Sequence, residues 1–199
     1  MRGPPARGRA LLIGPPQMPA PTPFADGSRV AETERLVLRQ FTASDAAFAL
    51  RLLNEPSFIE NIADRGVRTL EQAARYLLEG PIASYQRHGH GLYLVELKPS
   101  LQPIGMCGVL KRDGFLDIDL GYAFLPEFWS RGFALESASA VLNLVRRMLR
   151  APRIVAFVSK KNTASIRLLR KLGFSYSGER NLDASSDPVS LFQLQLQET

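Results

Sequence analysis

The stretch Asp117 to Arg150, DIDLGYAFLPEFWSRGFALESASAVLNLVRRMLR, decides how this chain is read. From Leu116 to Leu120 apolar and acidic residues alternate, with Asp117 and Asp119 on one face, the signature of a half-buried strand. Farther along, Ala134, Ala138, Val141, Leu142, Val145, Met148 and Leu149 recur at helical spacing and predict a helix that lays one apolar stripe on a sheet, stopped by Pro152. Between strand and helix sits a tight turn, WSRGFA, Trp129 to Ala134. The first N–H groups of a helix lack intrahelical partners and carry the positive end of its dipole. Arg131, Gly132, Phe133 and Ala134 therefore offer main-chain donors to an anion, above all a phosphate or diphosphate. Gly132 lets a ligand approach the backbone, and Ala134 keeps the next position small. A glycine at such a turn also occurs where nothing binds, so this stretch alone leaves function open.

A second hydrophobic strand, Arg153 to Ser159, leads into KKNTASIRLLRKLGF, Lys160 to Phe174. The motif residues are Leu120-Gly121-Tyr122, Pro126-Glu127, Trp129, Arg131-Gly132, Ala134 and Glu136, followed by Asn162, Ser165 and Lys171-Leu172-Gly173-Phe174. Together they resemble the GCN5-related N-acetyltransferase (GNAT) superfamily, most closely its RimJ/RimL-type ribosomal-protein N-alpha-acetyltransferase branch. TERLVLRQFTASDA, Thr33 to Ala46, matches the opening of the same fold, so the resemblance covers about residues 32–198. Ser130 departs from the branch, which usually has glycine there.

The resemblance implies a mixed α/β (α+β) fold: a twisted, mostly antiparallel sheet split in a V where two parallel strands diverge, with helices on both faces. It implies acetyl-coenzyme A as acyl donor, its pantetheine arm entering the V beside Tyr122, Phe124 and Leu125 and its diphosphate on Arg131, Gly132, Phe133 and Ala134. Asn162 and Ser165 are implied contacts from the next helix. Homodimers are common in the branch, so the resemblance allows one here without the sequence deciding it.

The order of elements read from punctuation agrees. Leu36 to Arg39 is a strand, Ser44 to Leu53 a helix, Pro56 to Gly66 a loop or short helical connection, and Thr69 caps a helix through about Glu79. Gly91 to Lys98, Pro103 to Lys111 and Leu116 to Leu125 form an antiparallel meander. The strand–helix–strand crossover to Arg153 implies a parallel pairing. Asn162 caps a helix ended by Gly173, and two strands finish the chain.

With 45% hydrophobic and 22% charged residues over 199 positions, the chain suits one domain with a full core, residues 31–199. Residues 1–30 read as a flexible Pro/Arg-rich tail, since seven of the fourteen prolines fall in the first 23 positions without apolar periodicity. The apolar run Ala10 to Ile13 is too short for a secretory or membrane segment, which makes a soluble, cytoplasmic protein the expectation. Of the net charge of +6, the tail supplies +3. The rest gathers basic residues around Arg131, Lys160, Arg167 and Lys171, better suited to the phosphorylated end of coenzyme A than to nucleic acid. Cys107 stands alone on an apolar strand and reads as a small buried hydrophobe. His88 and His90 lack the further ligands a metal would need, so no metal is expected.

Acyl transfer to an amine needs a group to take the amine's proton and donors for the developing charges. Asp119 is the first candidate base, with Asp117 in reserve, and a structural pairing with an arginine is the competing reading. By resemblance, Ser165 is the candidate donor to the departing thiolate. Acceptor binding falls to the segment between the first two helices and the loop before the last strand, with Phe58, Glu60, Asp64 and Asp183 suited to a cationic amine. The acceptor is a protein N-terminus or a small amine such as a polyamine, amino acid or aminoglycoside. Two other classes stay open at this point, a non-catalytic acyl-coenzyme A binder and a nucleic-acid-associated module using the basic tail.

Overall fold

The computed structural model describes residues 27–149, 151–182 and 187–196. Among these residues eight strands form one sheet: β1 (Arg29–Glu32), β2 (Leu36–Arg39), β3 (Leu92–Leu97), β4 (Gln102–Lys111), β5 (Ile118–Phe124), β6 (Arg153–Val158), β7 (Ser175–Arg180) and β8 (Val189–Gln195). Their spatial order is β1-β2-β3-β4-β5-β6-β8-β7, and every neighbouring pair is antiparallel except β5 with β6. The meander and the parallel crossover are both as the sequence predicts. Strand pairing starts at Arg29, two residues ahead of the expected boundary after residue 30; residues 1–26 of the predicted tail lie outside the described residues.

Among the described residues the α-helices are α1 (Ala46–Leu53), α2 (Pro56–Asn61), α3 (Leu70–Leu77), α4 (Ala83–His88), α5 (Phe133–Met148) and α6 (Thr163–Lys171). Thr69 caps α3, its hydroxyl accepting the Gln72 N–H while the Gln72 side chain returns to the Thr69 N–H. The helix does not stop near Glu79. It continues through a wide π turn, Leu78–Ile82, into α4. Pro81 lies inside that turn, where i→i+5 spacing accommodates a residue without an N–H.

Helix α5 packs on β1, β2, β4 and β5. Its buried stripe is Phe133, Ser137, Ala138, Val141, Leu142 and Val145. Met148, expected at its end, is 52% exposed, because the packed row follows Val141 and Val145 at i, i+4 spacing. Leu36, Leu38, Leu94, Ile104, Val141 and Ile154 have no measurable exposure and mark where strands and helix interlock.

The sheet opens between β5 and β6. Only Ile118 with Ile154 and Asp119 with Val155 are in register. Beyond Asp119 the strands part: β5 runs on to Phe124 against β4 alone, while β6 runs to Val158 against β8. This is the expected V.

Candidate active site

A cleft of about 680 Å³ occupies the fork, walled by β5, the turn before α5, the start of α6 and the α1–α2 connection. The Leu125 N–H donates to the Ile104 carbonyl on β4 at 3.0 Å. Since alternate residues of a strand aim their main-chain groups at opposite edges, Tyr122 and Phe124 turn theirs toward the fork. At the far end the Trp129 indole N–H donates to the Phe124 carbonyl at 2.7 Å and closes that edge. Tyr122 and Phe124 therefore line the cleft, on the edge where the resemblance expects the pantetheine arm. Leu125 does not: it is 1% exposed and its donor is spent on β4.

The turn is built from two left-handed residues, Ser130 (φ 58°) and Gly132 (φ 81°). Gly132 is the residue before the first turn of α5, and its carbonyl accepts the Glu136 N–H. The N–H groups of Phe133 and Ala134 thus have no intrahelical acceptor, and both residues line the cleft with Gly132. Arg131 sits beside it, its guanidinium 5.9 Å from the Phe128 ring and its carbonyl accepting from Arg35 Nη1 at 3.0 Å.

Arg35 was not singled out from the sequence, yet it braces the whole turn. Its Nη2 lies 2.6 Å from Glu136 Oε2 and its guanidinium 4.6 Å from the Phe133 ring centre. Glu136 also accepts from the Thr33 hydroxyl at 2.5 Å and from the Arg35 N–H at 3.1 Å. Burial pushes the Glu136 carboxyl up, but Thr33 and Arg35 hold it below its ordinary pKa. Thr33, Arg35 and the motif residue Glu136 thus meet as one joint behind the turn.

Across the fork, Asn162 Oδ1 accepts the Ser165 N–H at 3.0 Å and caps α6. The Tyr122 hydroxyl donates to the Ser165 carbonyl at 3.4 Å, linking the two walls. Burial raises the Tyr122 phenol to about 12, so it stays a donor near neutrality.

Asp119 stands where β5 and β6 separate. It is 2% exposed, and Arg112 Nε and Nη2 each donate to one of its oxygens at 3.0 Å. Burial raises its pKa and Arg112 reverses only part of that rise. Asp117 is not in the cleft and pairs with Arg153 at 2.9 Å. Phe58 lines the cleft. Asp64 does not; it pairs with Arg68 at 2.6 Å and accepts the Gly66 N–H, closing its own loop. Glu60 is exposed on α2 and outside the cleft, and Asp183 lies outside the described residues. Of the basic residues, Arg167 and Lys171 face the cleft, whereas Lys160 pairs with Glu179. Cys107 is fully buried, its thiol pushed up to about 12, and His90 is buried with Nδ1 3.3 Å from the Val109 carbonyl.

A family model for the acetyltransferase (GNAT) domain matches residues 35–175, and the chain belongs to that family as an N-acetyltransferase. Among curated proteins it is 31% identical to the uncharacterized N-acetyltransferase YoaA of Bacillus subtilis over 150 residues, 75% of this chain and 84% of that one. Among solved structures it resembles an acetyltransferase from Agrobacterium tumefaciens, with a TM-score of 0.69 at 24% identity over 82% of this chain and 92% of that one. It also resembles RimL, the ribosomal L7/L12 alpha-N-protein acetyltransferase solved with coenzyme A. There the TM-score is 0.74 at 18% identity, over 85% and 98% of the two chains. Among the described residues no helix is long and apolar enough to cross a membrane.

Proposed function

We propose that this protein moves an acetyl group from acetyl-coenzyme A to a primary amine, by direct attack of the amine in a ternary complex, in the cytoplasm. The observation that carries this is the cleft in the fork, where an unpaired strand edge, a helix start rich in free N–H groups and a capped second helix face one volume. Acetyl-coenzyme A supplies a thioester whose acyl carbon a neutral amine can attack.

The chain's residues divide the work. The N–H groups of Gly132, Phe133 and Ala134 suit a diphosphate, and Arg131 adds positive charge beside them. The main-chain groups of Tyr122 and the Phe124 N–H suit the amides of a pantetheine arm, which would complete the interrupted ladder. Asn162 fixes the start of α6, and the Ser165 hydroxyl donates to the departing thiolate. Asp119 takes the amine's proton: its raised pKa favours the protonated carboxyl, while Arg112 compensates the charged form. Phe58 and its neighbours on α1 and α2 hold the acceptor, a protein N-terminus as in the RimJ/RimL branch or a small amine. The domain begins near the first strand, and residues 1–26 are dispensable for acyl-donor binding.

Two measurements test this. Acetyl-coenzyme A should raise the melting temperature, because a ligand bound only by the folded state stabilises it by mass action. Gly132→Val should remove that shift, whereas deleting residues 1–26 should preserve it. A thiol-release screen over N-terminal peptides and small amines should then find turnover. A wild-type protein whose melting temperature ignores the thioester would sink the reading.

A further inference from the structure

We propose that the acceptor binds as a single primary ammonium on an apolar body, and that Glu55 is the carboxylate that receives it. This rests on the amine-transfer reading and adds the chemistry of the acceptor. Two carboxylates line the cleft among the described residues, Asp119 and Glu55. Both oxygens of Asp119 already accept from Arg112. It can take up a proton, but it has little room to seat a second cation.

Glu55 is placed differently. It lies between α1 and α2, its carbonyl accepting the N–H groups of Phe58 at 2.9 Å and Ile59 at 3.2 Å, so its backbone is pinned. Its side chain is 21% exposed, and its carboxylate makes no hydrogen bond among the described residues. Among the described residues the cation paired with it is Arg51, whose Nε stands 3.9 Å away while Nη2 of the same guanidinium lies 2.6 Å from Glu127. A half-buried carboxylate whose nearest counter-charge is committed to Glu127 keeps lone pairs open to a donor entering the cleft. An ammonium brings the donors it lacks.

The surroundings define the rest of the ligand. Leu52, Phe58, Phe128 and Phe157 line the same cleft and offer hydrocarbon or ring surface. The polar neighbours on α2 are partly used, since the Asn61 amide donates to the Ser57 carbonyl at 2.9 Å. A polyamine or aminoglycoside would bring several cations to a cleft with one open carboxylate. An arylalkylamine, or a peptide N-terminus with an apolar first side chain, matches what is there.

Calorimetry on the full chain saturated with coenzyme A separates the possibilities. The probes are 2-phenylethylamine, a tripeptide with N-terminal phenylalanine, neutral 2-phenylethanol and spermidine. Glu55→Gln should weaken the better of the first two by about 10- to 100-fold, the range for a lost charged hydrogen bond. It should leave 2-phenylethanol and the acetyl-coenzyme A melting shift unchanged, and Glu55→Asp should recover part of the loss. Whichever of the amine and the peptide binds more tightly identifies the source of the ammonium. Equal amine affinity in wild type and Glu55→Gln, no binding of either probe, or spermidine as the tightest ligand would overturn the proposal. With the melting shift intact, any of these leaves the acyl-donor reading standing. Loss of that shift in the wild type strikes the acyl-donor reading instead.

Discussion

Two arginine–carboxylate pairs in this molecule look alike and behave in opposite ways. Arg39 holds Asp45 through two bonds of 2.8 and 2.9 Å and also reaches Glu96 at 2.9 Å. Arg112 holds Asp119 through two bonds of 3.0 Å. Burial pushes the Asp45 carboxyl up, but Arg39 with the N–H and hydroxyl of Thr42 brings it below its ordinary pKa. Asp119 has one arginine and deeper burial, and its pKa stays raised. The scaffold carboxylate accepts from both Arg39 and Thr42, whereas the cleft carboxylate, at greater burial, accepts from Arg112 alone among the described side chains. Ser130 follows the same pattern, as a non-glycine residue in a left-handed conformation on the cleft rim. Such strain is not confined to the cleft, since Leu101 (φ 55°) is also left-handed in the turn between β3 and β4, but at Ser130 it coincides with the rim where ligand is expected.

The sharpest way to break this comparison is to remove each arginine. Arg39→Met strands two buried carboxylates and should cost on the order of 3–5 kcal/mol in chemical denaturation. Arg112→Met should cost roughly 1–3 kcal/mol, because Asp119 can answer by taking up a proton. Equal losses would erase the distinction. Asp119→Asn should lower thiol release about 100-fold or more with the acetyl-coenzyme A melting shift kept; unchanged turnover would reduce the cleft pair to scaffold.

The acid limb of stability offers a signed test. With its folded pKa lowered, Asp45 contributes stability that is present above its unfolded pKa and lost as pH falls through the folded value. Asp119, raised, costs stability while ionised, and that cost is relieved as pH falls through its folded pKa. Urea titrations against pH should therefore show Asp45→Asn flattening the acid loss and Asp119→Asn steepening it. Like signs would refute the contrast. The smallest effect belongs to Ser130→Gly, which should gain about 1 kcal/mol or less, relief of left-handed strain being partly offset by the freer unfolded chain. A destabilised glycine variant would mean the serine earns its place through contacts.

What could be read beforehand follows the same divide. The diphosphate end and the strand edge depend on backbone, so the residue types they demand were visible: Gly132 before α5, Asn162 before α6, alternation along β5. The V itself was expected from the resemblance and is seen in a register of two pairs. Arg35, Arg112 and Glu55 left no such trace. They act through side chains brought together from distant positions, and no local period marks an arginine that stacks on Phe133 or Phe157. Asp64 shows the converse error: an acidic residue in the expected segment is absorbed by Arg68 four positions on.

The Trp129 indole has a consequence for length. By occupying the Phe124 carbonyl it sets an end stop on the open edge of β5. Main-chain groups face that edge only at every second residue, so a guest strand can lodge in one phase and not slide. For an extended guest such as the proposed pantetheine arm, the stop would act as a gauge of how far the tip reaches past Tyr122, and a lengthened arm would overshoot by the same increment.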